Sequence, residues 1–146
     1  MKDVLDDLRS TLEIAAWQLQ NITEAQSELR RSQGKWSKRE ILGHLIDSAS
    51  NNHQRFVRAR IENNVAFPSY SQETWVELQG YQGESWSELV SLWKNYNHHL
   101  LRVLRMIPAN STTNYCRVGE SEPVTLQFLA RDYVRHLKHH LHQILS

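Results

Sequence analysis

Tyr133-Val134-Arg135-His136-Leu137-Lys138-His139-His140 decides the fold of this chain. His136 and His140 stand four residues apart, slightly more than one helical turn, so both imidazoles project from one face. Leu126, Leu129, Tyr133, His136, His140 and Ile144 recur at spacings of three and four, the stripe that a helix turns toward a core. Two histidines thus stand where leucine is expected, and buried polar groups need partners. A single transition-metal ion would supply a partner for both.

The rest of the chain reads outward from that helix. Residues 2–28 carry Val4, Leu5, Leu8, Leu12, Ala15, Leu19 and Ile22 at helical spacing. Residues 30–35, with Gly34, form a connection. Ser37-Lys38-Arg39-Glu40 is a capping box that opens a second helix running to about Glu62, with Trp36 placed as a hydrophobic staple. Residues 63–83 are the longest irregular stretch, within which Ser71 to Gln79 suits a short helix. Ser85-Trp86-Ser87-Glu88 opens a third long helix through Leu89, Leu92, Trp93, Tyr96, Leu100 and Leu104, which stops before Pro108. Residues 110–124 are a polar loop with room for a short extended piece, and Thr125 caps the last helix. Four long amphipathic helices, with a long connection between the second and third, predict an all-α four-helix bundle in one domain spanning 1–146. No segment reads as a sheet.

Composition bounds the function. A chain of 146 residues with 23% charged and 40% hydrophobic residues suits a soluble globular domain. The net charge of +1, with basic residues scattered among acidic ones, offers no electrostatic footprint for nucleic acid. No uninterrupted apolar run has signal-peptide or membrane length. The single cysteine, Cys116, cannot form an internal disulfide, which agrees with a reducing compartment. These features point to a cytoplasmic protein whose partner is a small molecule, not a nucleic acid or a membrane.

A helical histidine pair supplies two ligands, so a third must come from elsewhere. His44, in Ile41-Leu42-Gly43-His44-Leu45-Ile46-Asp47-Ser48, shares a helix face with Ile41, Leu45 and Ser48 and lies beside the apolar stripe. Gly43 leaves room for a neighbouring element or ligand to approach. Three neutral imidazoles leave a position open on a divalent ion, as catalytic zinc sites do, and imidazole alone does not choose among zinc, nickel, copper and iron. Asp47, one turn after His44, is either an acceptor that orients a ligand histidine or a carboxylate paired with Arg131 or Arg135. Asn51 and Arg55 continue the His44 face toward a polar substrate, and Tyr133 closes the site from the preceding turn. His53, His98, His99, His139 and His142 fall off the seam, and Cys116 reads as a passive loop cysteine.

Trp36-Ser37 ahead of His44-Leu45-Ile46-Asp47-Ser48, followed by Tyr133 and then His136, His139 and His140, resembles the DinB/YfiT-like superfamily of metal-dependent enzymes. The resemblance extends over nearly the whole chain, including the Pro68-Ser69-Tyr70 loop and the Trp75 segment. It implies a four-helix bundle with a divalent ion, zinc or nickel, held at one end by His44, His136 and His140. It also implies a low-molecular-weight thiol cosubstrate of the bacillithiol or mycothiol kind, and homodimers are common among such proteins. Two departures bear on the substrate: no His-Pro pair precedes the last helix, and Gln143 replaces the histidine usual seven residues past His136. The expected function is activation of a thiol, or of water in a hydrolase variant, for attack on a small electrophile. The alternative is a non-catalytic, metal-stapled bundle serving as a stress-related binding or dimerisation module.

Overall fold

Side chains that satisfy orphan backbone donors set the helix boundaries in the computed structural model, which describes residues 1–146. Ser37 accepts from the Glu40 amide, and the Glu40 carboxylate returns to the Ser37 amide at 3.1 Å. Ser85 and Thr125 cap in the same sense, accepting from the amides of Glu88 and Phe128. The helices are α1 (Lys2–Gln20), α2 (Glu24–Glu28), α3 (Lys38–Ile61), α4 (Gln72–Gln79), α5 (Trp86–Arg105) and α6 (Leu126–Leu145).

The segment expected as one helix over 2–28 is broken. Thr23 and Gln26 form a complete capping box that ends continuity after α1 and starts α2. The break lets the Glu24 carboxylate accept from the amides of Trp86, at 2.7 Å, and Ser87, at 3.4 Å, at the start of α5. Arg39, itself buried, donates to Ser27 Oγ at 2.8 Å and pairs with Glu28 at 3.0 Å, clamping α2 onto α3.

Leu8, Leu12, Leu42, Phe56, Trp93, Leu100, Leu126 and Leu137 are buried among the four long helices. Burying a side chain of this size stabilises the fold by roughly 1.5–3 kcal/mol. α1 and α3 each pack against both α5 and α6, so the successive long helices α1 and α3 lie on one diagonal of the bundle. The four-helix bundle expected from the sequence is present.

A small sheet was not expected. β1 (Val65–Phe67) runs parallel to β2 (Tyr115–Val118), with Val65 opposite Cys116 and Phe67 opposite Val118. β3 (Val124–Thr125) pairs antiparallel to β2. The Asn63 side chain accepts from the Tyr115 amide at 2.7 Å, and the Asn64 amide donates to the Tyr115 carbonyl at 2.8 Å. Asn64 takes a left-handed conformation, φ 63°, that Asn tolerates better than most residues. The sheet ties the loop after α3 to the loop before α6 and fixes both over the cavity described next.

Candidate metal centre and its cavity

His44 comes from α3 and His136 and His140 from successive turns of α6, and the packing of α3 against α6 brings the three rings together. Their nearest nitrogens lie within 4.8 Å of one another, and no Cys, Asp or Glu joins them. His44 Nε2 and His136 Nε2 are 3.1 Å apart. Two imidazoles on one tetrahedral ion, each about 2.0–2.1 Å from it, would be separated by about 3.3 Å, so this spacing suits shared coordination.

The protonation chemistry suits it too, since only neutral imidazole carries a lone pair for a metal. Burial, followed by the neighbouring His140 and His136, pushes the His44 imidazole down to about 3. Burial, followed by His140, takes His136 down to about 4, and burial also lowers His140. His140 Nδ1–H donates to Gln143 Oε1 at 2.8 Å, which leaves the His140 Nε2 lone pair free. The Gln143 amide nitrogen faces His139 Nε2 at 3.4 Å, in keeping with its oxygen being turned toward His140. Gln143 is therefore the hydrogen-bond acceptor for one of the three histidines. Trp36 covers His44 with ring centroids 5.3 Å apart.

Gly43 admits Tyr81. A Cβ at Gly43 would stand 2.1 Å from Tyr81 Cδ2. Tyr81 uses this close approach to donate from its hydroxyl to Asp47 Oδ1 at 2.6 Å, where Gln79 Nε2 also donates at 2.7 Å. Asp47 is buried, and burial raises its carboxyl despite those two donors. Arg131 and Arg135 pair instead with Asp3 and Asp132, so neither is the partner of Asp47. Asp47 makes no direct hydrogen bond to a histidine. Its Oδ2 and the His44 Nδ1, one turn apart on α3, are both buried without a protein partner.

A cavity of about 350 Å³ opens onto His44 and His136. Arg55 and Tyr133 lie on its wall, but Asn51 does not: its amide donates to the Asp47 carbonyl at 2.9 Å, and Asn52 takes the wall position. The Tyr133 ring lines the cavity while its hydroxyl donates to Asn97 Oδ1 at 2.5 Å. Tyr70, Ser69 and Asp132 complete the polar lining. Asp132 precedes His136 by one turn and was readable from helical spacing. Tyr70 and Ser69 were not, because the unforeseen sheet places their loop. Gly119, at φ +58°, lies against Ser69, where an added Cβ would come within 3.2 Å. His53 bonds Tyr96 at 2.9 Å away from this group, and Cys116, expected in a loop, is buried on β2, with burial pushing its thiol up.

Comparison with known proteins agrees with this architecture. A protein of Bacillus cereus (strain 03BB102) named "Putative metal-dependent hydrolase" is 28% identical over 145 residues, spanning 97% of this chain and 80% of its own. A protein from Bacillus thuringiensis subsp. konkukian that carries the same description matches to the same extent. YfiT from Bacillus subtilis, described as a probable metal-dependent hydrolase with an unusual four-helix bundle topology, superposes with a TM-score of 0.87. Its identity is 22%, over 98% of this chain and 82% of its own. A mycothiol-dependent maleylpyruvate isomerase superposes with a TM-score of 0.79 at 12% identity, over 98% of this chain and 60% of its own. These two structures share the fold. Residues 5–144, nearly the full length, match the DinB superfamily, and the chain belongs to that superfamily.

Proposed function

We propose that this protein is a metal-dependent enzyme in which His44, His136 and His140 hold a divalent transition metal, zinc or nickel, beside the cavity. The observation that carries the reading is the meeting of three imidazoles, those of His44 and His136 on a cavity wall, with no fourth Cys, Asp or Glu among them. When bound, such an ion supplies Lewis acidity that favours the deprotonated form of a thiol or a water. The reaction is attack of a low-molecular-weight thiol of the bacillithiol kind on a small electrophile. A carbon–sulfur bond forms, the leaving group departs with its electron pair, and the thiol proton passes to solvent. In the hydrolase variant, water replaces the thiol.

The chain's own residues prepare that chemistry. Burial keeps His44 and His136 unprotonated at neutral pH. Gln143 fixes the tautomer of His140. Asp47 is a positioning residue: its free oxygen and the free His44 Nδ1 are one turn apart, a spacing at which a carboxylate orients a ligand histidine directly or through a water. Tyr133, anchored by Asn97, and Arg55 shape the reactant end of the cavity. The reading places the reaction in the cytoplasm, with small molecules as the only partners the cavity needs. No helix is long and apolar enough to cross a membrane.

The test is a transfer assay with a bacillithiol-type thiol and model electrophiles, run in parallel with hydrolysis assays lacking the thiol. Activity that disappears on chelation and returns with zinc or nickel supports the reading. Activity unchanged in metal-stripped protein refutes it, as does full activity of His136→Ala.

A further inference from the structure

The cavity carries an uncompensated positive charge at the end formed by Arg55. Arg55 is only 9% exposed, yet it forms no ion pair and no hydrogen bond with any group of the protein, and it lies on the same cavity wall as His44 and His136. The only other charged residue on that wall is Asp132, which is already paired with Arg135 at 2.7 Å. The Tyr70 hydroxyl and the Cys116 thiol near Arg55 supply no counter-charge, because burial raises both. Burying a guanidinium without a partner is unfavourable, and proteins normally pair such groups. A buried cation left open on a cavity is a place for an anion that arrives with the reactant.

Position supports the same conclusion. His44 and Arg55 are eleven residues apart on α3, which returns the chain to nearly the same face after three turns, about 16 Å along the axis. Helical side chains lean toward the helix N-terminus, the direction in which His44 lies. Asn52 and Tyr70 add neutral polar groups to the same wall.

We propose that Arg55 is the anion-binding residue of this cavity and that the reactant is a small organic acid whose carboxylate it receives. The inference rests on the reading of the cavity as the reaction site. A carboxylate fits better than a phosphate, since the wall offers one unpaired cation for one negative charge, and the planar guanidinium fork matches a carboxylate with two parallel hydrogen bonds. The cavity volume of about 350 Å³ has room for roughly a dozen water-sized groups, the scale of a short-chain acid.

The test compares butyrate with its neutral counterpart butyramide, each titrated into the full chain and followed by amide NMR shifts around Asn52 and Tyr70. The wild type is expected to bind butyrate measurably and at least tenfold more tightly than butyramide. Arg55→Met should lose that tenfold preference, and Arg55→Lys should recover part of it, because an ammonium restores the charge without the fork. Metal content measured on the same Arg55→Met sample should equal that of the wild type. Equal binding of butyrate by Arg55→Met and wild type overturns the proposal, as does failure of the wild type to prefer the acid over the amide. A protein that holds no metal yet distinguishes butyrate through Arg55 would remove the metal reading and leave this one standing. Confirmed metal-dependent transfer without that discrimination would do the opposite.

Discussion

Gly43→Ala should be among the most damaging small substitutions in this protein. The added Cβ would meet Tyr81 at 2.1 Å from Cδ2, 2.3 Å from Cγ and 2.7 Å from Cε2, so the whole ring must retreat by more than an ångström. Tyr81 is buried on the short turn Tyr81–Gly83 and has little room to do so. Overpacking of this kind costs about 1–3 kcal/mol. Displacing the ring also removes the hydroxyl from Asp47, at about 1.5–3 kcal/mol for a bond to a charged acceptor. Alanine regains about 1 kcal/mol of helix propensity. The net loss is about 1.5–5 kcal/mol, and at roughly 3 °C per kcal/mol for a chain of this size the melting temperature should fall by roughly 5–15 °C. Calorimetric melting of Gly43→Ala measures it directly. Gly83→Ala, whose Cβ meets open space, serves as the control and should stay within about 0.5 kcal/mol of wild type. In a Tyr81→Ala background, Gly43→Ala should cease to destabilise and show only the propensity gain. An unchanged melting temperature for the single variant would refute the account of Gly43 as the seat of Tyr81.

Three further outcomes follow from the same site. Gln143→Leu removes the acceptor for His140 Nδ1–H and should weaken metal binding by about 10–100-fold in a chelator-competition titration; unchanged affinity would show that Gln143 does not orient His140. In metal-free protein, His44 and His136 are held down at about 3 and about 4, below their ordinary value near 6.5. Their contribution is therefore complete above pH 6.5 and drains as pH falls toward 4, by up to about 1.4 kcal/mol per pH unit for each ring. Asp47, whose carboxyl is raised by burial, acts in the opposite sense. Melting temperatures between pH 7 and 4.5 should show the decline, and His44→Phe should flatten it; a flat wild-type profile would contradict buried neutral imidazoles. Cys116→Ser should leave transfer or hydrolysis activity within a factor of two, since the thiol is buried and disfavoured as a thiolate; loss of activity on this change would give Cys116 a chemical role.

Local features were legible and non-local ones were not. Ser37, Ser85 and Thr125 announce their helices because a cap acts within three residues. His136 and His140 share a face by helical period alone, and His44 follows from the apolar pattern of its own segment. Thr23 and Gln26 carried the same signal as Ser37 and Glu40, but Ile22 continues the apolar spacing of α1 and masks the break. The sheet escaped because β1 and β3 are three and two residues long, too short for alternation, and β1 pairs with a segment fifty positions away. Tyr70 and Ser69 inherit that difficulty, since only the sheet sets their loop over the cavity. Gly43 was readable as a point of close approach, but its partner Tyr81 depends on how the 80–83 turn docks. Asn51 and Asn52 show the limit of ideal periodicity: Asn51 is nearer to the His44 direction on an ideal helix, yet its amide turns back to the Asp47 carbonyl and Asn52 lines the cavity.

Metal stoichiometry tests the central claim most directly. Protein purified without an affinity tag, analysed by plasma mass spectrometry, should contain close to one zinc or nickel per chain. His44→Ala, His136→Ala and His140→Ala, each checked for folding by circular dichroism, should contain almost none. Full metal content in any folded single variant, or a wild type that takes up no transition metal when offered it, would contradict the account.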